Sequence, residues 1–332
     1  KEIEMVAATG TLQTYTVKGN REDLQDYIYN IDPTDTPMIM LIGEDNATSI
    51  KHEWSTDSLI ATDSGNAQIE GDDYAAATQT PPPRLENYCQ ISAKAVSVSR
   101  TQRKMNHAAI DDMLDYQIVR NGKSLKRDAE TIICGNQGYN VGAATVARKL
   151  RSWESWVTSN INANNVTTTA QGATAGATTA GANAAGATVG RTDASTSRDV
   201  TEAMLKDVLQ KVYSSGGDVS HIMTGPVNKQ NLSAFSGRSS ARQNIEEDKI
   251  QGAAHLYASD FGDLTIIPNR FNRERSILVV DPEYASVAYF DRMHEEDLSK
   301  TGDSDRKFLI MEYTLCMKNE AAHGAIFDLT TS

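Results

Sequence analysis

The residues best suited to chemistry lie in a charged stretch, SGRSSARQNIEEDK, which runs from Ser236 to Lys249. Two arginines precede three consecutive acids in this stretch: Arg238, Arg242, Glu246, Glu247 and Asp248. Opposite charges on one loop form a self-complementary surface, which suits contact between copies of a chain. A solvated loop explains the same composition equally well, so both interpretations stay open at this point.

A second charged stretch, ATDSGNAQIEGDDYAAATQTPPP, carries four acids and no basic residue: Asp63, Glu70, Asp72 and Asp73. Pro81 to Pro83 stiffen its exit as polyproline II. A connection of this length without a core of its own is usually functional or disordered. The sequence does not identify the basic surface that these acids would meet.

The motifs that resemble catalytic or metal sites are weak. The tetrapeptide NGKS, Asn121 to Ser124, lacks the glycine of a phosphate loop, since position 117 is Gln, and it lies inside a helical pattern. The tetrapeptide HEED, His294 to Asp297, is more typical of a solvated acidic turn than of a cation site. A Cys–His nucleophile pair is open on spacing alone, but Cys89 and Cys134 have ordinary packing roles on a strand and at a helix end. We predict no catalytic, cofactor or metal site.

Composition narrows the class of protein. The chain has 332 residues, a net charge of −12, 39% apolar and 6% aromatic residues. Such an acidic chain is a poor binder of duplex DNA, and it contains no apolar run long enough to span a membrane. Its three cysteines, odd in number and far apart, indicate reduced and mostly buried thiols. Its modest core leaves room for extensions that bury surface against other chains.

The first half of the chain predicts an arm, two strands and a long helix. Apolar residues at helical spacing from Leu24 to Ile31 predict a short amphipathic helix. SIKHEWSTDSL and LENYCQISAKAVSVS are strand candidates of a hairpin-like region, and a phase slip at Val96 in the second predicts a β-bulge. Met105 to Cys134 predicts one helical rod of about 45 Å, with a kink at Asn121–Gly122 favoured over two helices.

The second half alternates helices and strands. Trp153 and Trp156 belong to a short amphipathic piece, and an Ala/Thr/Gly-rich ribbon follows at 167–190. We expect this ribbon to be an extended or β-rich insertion, held mainly by backbone hydrogen bonds. SRDVTEAMLKDVLQKVYSSGG predicts a helix stopped by Gly216, and short strands and a helix follow it. The C-terminus, from Arg306 onward, predicts two long strands around a polar turn.

The order of these elements, together with several local stretches, resembles the major capsid proteins of tailed bacteriophages, which have the Hong Kong 97 fold. The stretches that carry the resemblance are TVKGNREDLQDYIYNIDPTDTPMIMLIG, HEWSTDSL, LRSWESWVTSN, YASDFGDLTIIPNRF, ILVVDPEYASVAYF and KTGDSDRKFLIMEYTLCMKNEAAHGAIFDL. They span nearly the whole chain, and their shared order makes the match specific. The ribbon at 167–190 departs from the family pattern.

The resemblance implies an α+β fold with an N-terminal arm, an extended two-stranded loop, a long spine helix, and peripheral and axial domains. The implied divisions are an arm at 1–47, the extended loop at 48–98, the peripheral domain with the spine helix at 99–160, the insertion at 161–198, the axial domain at 199–290, and the return strands of the peripheral domain at 291–332.

The resemblance also implies a function. The chain would be a major capsid protein that assembles with itself, in hexamers and pentamers, into an icosahedral head shell around double-stranded DNA. It would be a virion protein assembled in the bacterial host cytoplasm, without enzymatic activity, cofactor or membrane partner. Portal and decoration proteins are further candidate partners, and contact with DNA would be weak and non-specific. The candidate interface residues are Trp54, Asp63, Glu70, Asp72, Asp73, Arg84, Arg238, Arg242, Glu246, Glu247 and Asp248.

Two other classes of protein are left as alternatives. Another phage structural protein or a surface adhesin would suit the Thr/Ala-rich ribbon, although no secretion signal is evident and the cysteines are unpaired. An enzyme with an unrecognised site would need a deep pocket that gathers two or more titratable groups.

Overall fold

A computed structural model describes residues 33–57, 62–71, 81–105, 110–164, 190–235, 255–300 and 302–331. The helices of these residues are α1 Pro37–Ile42, α2 Arg100–Lys104, α3 Met113–Ile133, α4 Trp153–Trp156, α5 Glu202–Ser214 and α6 Pro226–Ser233. The strands are β1 Glu44–Asn46, β2 Lys51–Ser55, β3 Arg84–Tyr88, β4 Gln90–Ser99, β5 Ile161–Asn162, β6 His221–Thr224, β7 Leu256–Ser259, β8 Gly262–Pro268, β9 Ile277–Val280, β10 Ala285–Asp297, β11 Ser304–Met317 and β12 Gly324–Ile326. The predicted N-terminal helix at 24–31 and the ribbon at 167–189 lie outside the described residues.

The first layer is a four-stranded sheet with the order β1-β10-β11-β4, which packs against the long helix α3. Strand β4 pairs with β11 over ten consecutive residues, from Gln90 opposite Tyr313 to Ser99 opposite Ser304. This register has no break, so the bulge predicted at Val96 is wrong. Alternation is continuous because Gln90, Ser92 and Lys94 share the inward face with Val96 and Val98; the polar members of that face hid the pattern. The register shifts lie instead in β10, between Tyr289 and His294.

The spine helix α3 is shorter than the sequence predicted. It begins at Met113 and not at Met105, which is extended backbone at the end of α2. The start is set by Asp112, whose Oδ1 accepts a hydrogen bond from the Leu114 N–H at 2.8 Å. The 21 residues of α3 make a rod of about 31 Å at 1.5 Å per residue. The helix continues through Asn121–Gly122, where Gly122 is buried against Leu309.

Replacing Asp112 with alanine removes this cap. Its Oδ2 also accepts a hydrogen bond from Arg103 at 2.6 Å, so the change also frees α2 from the start of α3. We expect the free energy of unfolding to fall by about 1–2 kcal/mol, the usual cost of losing a capping side chain. Urea unfolding of the unassembled subunit measures this. Asp111→Ala, next to it and exposed, is the matched control, and an equal loss there would contradict the assigned role.

The second layer is a six-stranded sheet with the order β5-β12-β9-β6-β8-β7. Helix α5 covers this sheet with the apolar stripe that the sequence predicts: Leu205, Val208, Leu209 and Val212 are buried. Gly216, with φ of +88°, follows the end of the helix. The close approach of α5 explains Gly324 in β12, since a Cβ there would lie 2.4 Å from Val208 Cγ1.

The C-terminus differs from the prediction of two long strands. Strand β11 is long, but β12 has only three residues and pairs with β9 of the six-stranded sheet. A short 3-10 turn, Glu320–Ala322, separates the two strands. The C-terminal segment therefore passes from the four-stranded sheet into the six-stranded one, and does not return along the first.

The core joins the two sheets around the tryptophans of α4. Trp153 and Trp156 are fully buried in one cluster with Met223 and Leu278 of the second sheet and Leu315 of the first. Residues 150–157 are all buried, so the piece predicted to be amphipathic has no solvent face. Inside it, Arg151 donates hydrogen bonds to Ser155 and Ser152 donates one to the Ile132 carbonyl. Burial lowers the pKa of Arg151 to about 10, and its guanidinium lies 4.2 Å from the Trp156 ring centroid.

Candidate assembly surfaces

The extended loop begins as a two-stranded ribbon. Strand β2 pairs antiparallel with β3, from Lys51 opposite Tyr88 to Ser55 opposite Arg84, which confirms the hairpin-like pairing. Trp54 fixes the ribbon to its own subunit, because its Nε1 donates a hydrogen bond to the Met317 carbonyl at 2.9 Å and its ring lies 5.6 Å from that of Trp156. These contacts of Trp54 are intramolecular, so its role at a subunit interface stays a prediction.

Charged side chains run along the β2–β3 ribbon. Lys51 lies between Glu53, at 2.8 Å, and Glu86, and hydrogen bonds from Lys51 to these carboxylates raise its pKa. Arg84 lies 3.6 Å from Glu53, and 69% of its side chain is exposed. Exposed ion pairs contribute little to stability, so this row adds little to the stability of the subunit, and contact of Arg84 with a neighbour stays a prediction.

Beyond the β2–β3 ribbon, the part of the extended loop described at 62–71 has no buried side chain. Residues 62–71 are all exposed, and Ile69 is 74% exposed. Asp63 Oδ1 accepts a hydrogen bond from the Gly65 N–H at 2.7 Å, so this carboxylate shapes a local turn. Glu70 lies at the end of the same exposed stretch, whereas Asp72 and Asp73 lie outside the described residues. A single exposed apolar side chain is ordinary on a protein surface, so a contact of Ile69 with a neighbouring subunit is a prediction.

The charged loop at 236–249 lies outside the described residues, and with it Arg238, Arg242, Glu246, Glu247 and Asp248. Three exposed residues that the structure does describe, Leu256, Tyr213 and Phe261, were not singled out from the sequence. Leu256, on the edge strand β7, is 58% exposed and Tyr213 is 62% exposed; the Tyr213 ring lies 4.8 Å from that of Phe261. Tyr213 lies outside the apolar stripe of α5, and that position was the sequence signal that could have identified it as exposed.

The segment predicted to be an insertion, 161–198, contains the Ala/Thr/Gly-rich ribbon. The two flanks of that ribbon are held together at Asp328, and this contact is called here the closed base of the insertion. Asp328 is buried and binds both flanks: Oδ2 accepts from the Asn164 N–H at 3.1 Å and Oδ1 from the Ala194 N–H at 2.9 Å. Arg191 Nη2 lies 2.6 Å from Asp328 Oδ1. Burial by itself raises the pKa of Asp328, but Arg191 and the backbone N–H donors hold it below its ordinary value. Sequence reasoning missed this residue.

A chain of charges continues from this base into the core; Arg191 and Glu154 are buried, and Asp193 and Arg273 are half-buried. Arg191 also lies 2.6 Å from Asp193, and Arg273 joins Asp193 to Glu154 of α4. Burial raises the pKa of Glu154, against the opposing effect of Arg273. Breaking a buried pair by removing one partner is costly, so the network fixes the stem of the insertion to the tryptophan core.

A second buried carboxylate, Glu130 of α3, holds α1. Its oxygens accept hydrogen bonds from the Met38 N–H at 2.7 Å, the Ile39 N–H at 3.0 Å and Asn269 Nδ2 at 2.6 Å. Burial raises the pKa of Glu130, and these donors oppose the rise. One side chain thus joins the end of the N-terminal segment, the spine helix and the loop after β8.

The cysteines and the HEED stretch considered for chemistry lie on or next to regular elements of the fold. Cys89, Cys134 and Cys316 are buried and unpaired, as predicted, and burial raises the pKa of Cys89 and of Cys316 to about 11. His294 to Asp297 lie on strand β10 and not in a turn, so adjacent side chains point to opposite faces. Across the described ranges, no group of three or more His, Cys, Asp or Glu side chains is placed to hold a metal ion.

No helix in the described parts of the chain is both long enough and apolar enough to cross a membrane.

The family that matches and the relative and structures named next are capsid proteins. A family described as the SU10 major capsid protein matches residues 9–330. The major capsid protein of Escherichia phage Phieco32 is 23% identical over 345 residues, which cover 95% of this chain and 96% of that protein. Among solved structures, the Cyanophage A-1(L) capsid asymmetric unit is similar with a TM-score of 0.68 and 14% identity, over 97% of this chain and 100% of that one. The capsid of the native GTA particle is similar with a TM-score of 0.60 and 10% identity, over 98% of this chain and 99% of that one.

Proposed function

The chain belongs to the SU10 major capsid protein family, and from this premise we propose how it builds and closes its shell. It is a major capsid protein of a tailed phage and forms the capsid shell. Its fold is the α+β fold of Hong Kong 97-type capsid proteins, which confirms the fold predicted from the sequence. The observation that carries this conclusion is a family match over nearly the whole chain.

In this proposal each of the two sheets belongs to one domain of the capsid subunit. The four-stranded sheet with α3 acts as the peripheral domain, and the six-stranded sheet with α5 and α6 acts as the axial domain, whose loops meet around symmetry axes. Support comes from Leu256 on the edge strand β7 and from the contacting rings of Tyr213 and Phe261, which leave apolar surface exposed on this half of the subunit. The ribbon β2–β3 carries the extended loop onto a neighbouring subunit.

Assembly in hexamers and pentamers would bury the surfaces that a lone subunit leaves exposed. Obligate interfaces usually bury about 2,000–5,000 Å², and extensions supply this area with few residues. The role is structural and needs no catalysis. The virion is the site of action; assembly in the host cytoplasm, and contacts with a portal or a decoration protein, belong to the proposal.

Electron microscopy and light scattering of the purified chain under assembly conditions test the proposal. We expect closed shells of many identical copies. A stable monomer or small oligomer under every condition in which the chain is folded would contradict it.

The extended loop gives a sharper test. Deleting Asp63 to Thr80 should leave a folded subunit that assembles poorly, because the described part of this segment is exposed throughout. A milder change, Ile69→Ser, should reduce the yield of shells several-fold while leaving the unfolding free energy of the subunit within about 0.5 kcal/mol of wild type.

The matched control for Ile69→Ser is Val141→Ser, another exposed loop aliphatic at 54% exposure. Shell yield is measured by sedimentation. Unfolding of the deleted subunit would instead mean that the loop acts within its own chain, and equal yields of the two point variants would remove Ile69 from the interface.

A further inference from the structure

One face of the spine helix concentrates positive charge in an otherwise acidic protein. Arg120, Lys123, Lys126 and Arg127, called here the basic face, are all within eight residues of α3. At 100° per residue, Arg120, Lys123 and Arg127 fall within a sector of about 60°, with Lys126 beside it. Arg120, Lys123 and Lys126 are exposed, although the chain as a whole carries −12.

The acids of α3 do not neutralise this face. Asp128 points to the sheet side, where it lies 2.6 Å from Lys94 Nζ, and Asp115 lies near Lys307. Glu130 is buried under α1. Within the described ranges, Arg120, Lys123 and Lys126 have no carboxylate at ion-pair distance, whereas many other exposed cations do, among them Arg100, Lys206 and Arg292.

The basic face also has a cavity with the donors that a phosphate needs. A cavity of about 180 Å³ is lined by Thr34, Tyr116, Val119, Arg120, Lys123, Ser124 and Arg127. Ser124 Oγ accepts a hydrogen bond from Lys94 Nζ at 2.5 Å, so its own proton is left to donate. Arg127 is steadied by the Phe271 ring, 5.4 Å from its guanidinium carbon. Guanidinium, ammonium and hydroxyl donors around one cavity are the usual partners of phosphate oxygens.

We propose that the basic face of α3 binds the backbone phosphates of double-stranded DNA and is the face that the subunit turns toward the interior of the shell. From Arg120 to Arg127 the row rises about 10.5 Å, which spans roughly three phosphates of one B-DNA strand at 3.4 Å of axis each. The contacts reach only the backbone, so binding carries no sequence preference. This inference rests on the proposed function, since it takes the shell to enclose DNA.

The test uses the unassembled full chain and a fluorescent 20-base-pair duplex of mixed sequence, with anisotropy measured from low to moderate salt. The variant is Arg120→Gln, Lys123→Gln and Lys126→Gln together; Arg127 is kept because it packs on Phe271. We expect the slope of log affinity against log salt to flatten by about 2–3, since each phosphate that the protein no longer neutralises reduces the slope by about 0.9. We also expect affinity at low salt to fall about 10–100-fold.

The matched control removes the same charge elsewhere: Lys149→Gln, Lys206→Gln and Lys318→Gln, all exposed. It should keep the wild-type slope, and thermal unfolding should show all three proteins folded. Equal losses in both variants would reduce the effect to net charge and overturn the proposal. Unchanged DNA binding in the basic-face variant would also overturn the proposal. If that variant binds DNA normally but fails to form shells, the basic face is a contact for another protein segment.

Shell assembly is scored separately. Shells that form from both variants, with DNA binding indifferent to the basic face, would overturn this inference and leave the proposed function standing. A wild-type chain that never forms shells, and whose DNA affinity still depends on the basic face, would overturn the proposed function and support phosphate binding by α3.

Discussion

Replacing Asp328 with alanine is expected to lower the free energy of unfolding of the subunit by about 3–5 kcal/mol, the usual cost of removing one partner of a buried ion pair. The change leaves Arg191, 2% exposed, with Asp193 as the one remaining carboxylate of the two that it pairs with. It also leaves the Asn164 and Ala194 N–H groups without their acceptor. Asp328 has φ of +61°, a conformation that alanine adopts less readily than aspartate or asparagine.

Asp328→Asn separates charge from geometry. Asparagine tolerates the same backbone conformation and keeps one carbonyl oxygen, so we expect a smaller loss of about 1–3 kcal/mol. Urea unfolding of unassembled subunits measures both variants. If the alanine variant lost no more than about 1 kcal/mol, Asp328 would not be holding the base of the insertion.

Acid is expected to weaken the subunit through His323. The ring is fully buried; its Nδ1 accepts from the Asp281 N–H at 3.3 Å, and Nε2 lies 3.4 Å from the Tyr284 carbonyl. It also meets Trp153 edge-on, 4.9 Å between ring centroids. Burial lowers the pKa of His323 from 6.5 to about 4, so the folded protein keeps this ring neutral where the unfolded chain would protonate it.

The sign follows from proton counting. Between pH 6.5 and about 4 the unfolded state binds one more proton at this position, so the free energy of unfolding falls as the pH falls. The full loss is about 3 kcal/mol, at 1.36 kcal/mol per pH unit. His323→Gln should remove this component, so its unfolding free energy should depend less steeply on pH than that of wild type between pH 7 and about 4.5.

Other titrating groups contribute equally to wild type and variant, and cancel in the comparison. The control is His294→Gln, since His294 is partly exposed on β10 and hydrogen bonds raise its pKa, which gives an effect of opposite sign. Parallel pH dependences for wild type and His323→Gln would mean that the ring has the same pKa in the folded and unfolded protein, which would contradict the effect of burial.

The sequence predicted the elements whose pattern is local. The stripe of α5 and its stop at Gly216 follow from helical spacing and a backbone conformation that favours glycine. The pairing of β2 with β3 and the burial of the cysteines were also predicted correctly. These features are indicated by apolar spacing and turn residues within short stretches of the chain.

The errors arose from one overlooked local cap and from contacts between residues far apart in the chain. The start of α3 depends on one capping carboxylate, Asp112, inside a segment that is otherwise helical in pattern. The pattern around the tryptophans of α4 predicts an amphipathic helix, yet residues of both sheets pack around these tryptophans and bury them. Asp328, Glu130 and Glu154 act through partners far away in the chain, and no spacing rule relates them. Of the predicted interface residues, Trp54, Asp63, Glu70 and Arg84 are described, and their contacts with neighbouring subunits stay predictions.

The closed base at Asp328 has a consequence in polymer terms. For a flexible replacement sequence placed between Asn164 and Gly190, the cost of holding the two ends together grows only logarithmically with length, about 0.6 kcal/mol for each doubling. The flanks are already held by contacts of their own, with Asp328 and with Asn136, which binds Arg191. This point in the fold can therefore accept or lose sequence at little thermodynamic cost, so that lineages can vary its length while the two sheets stay unchanged.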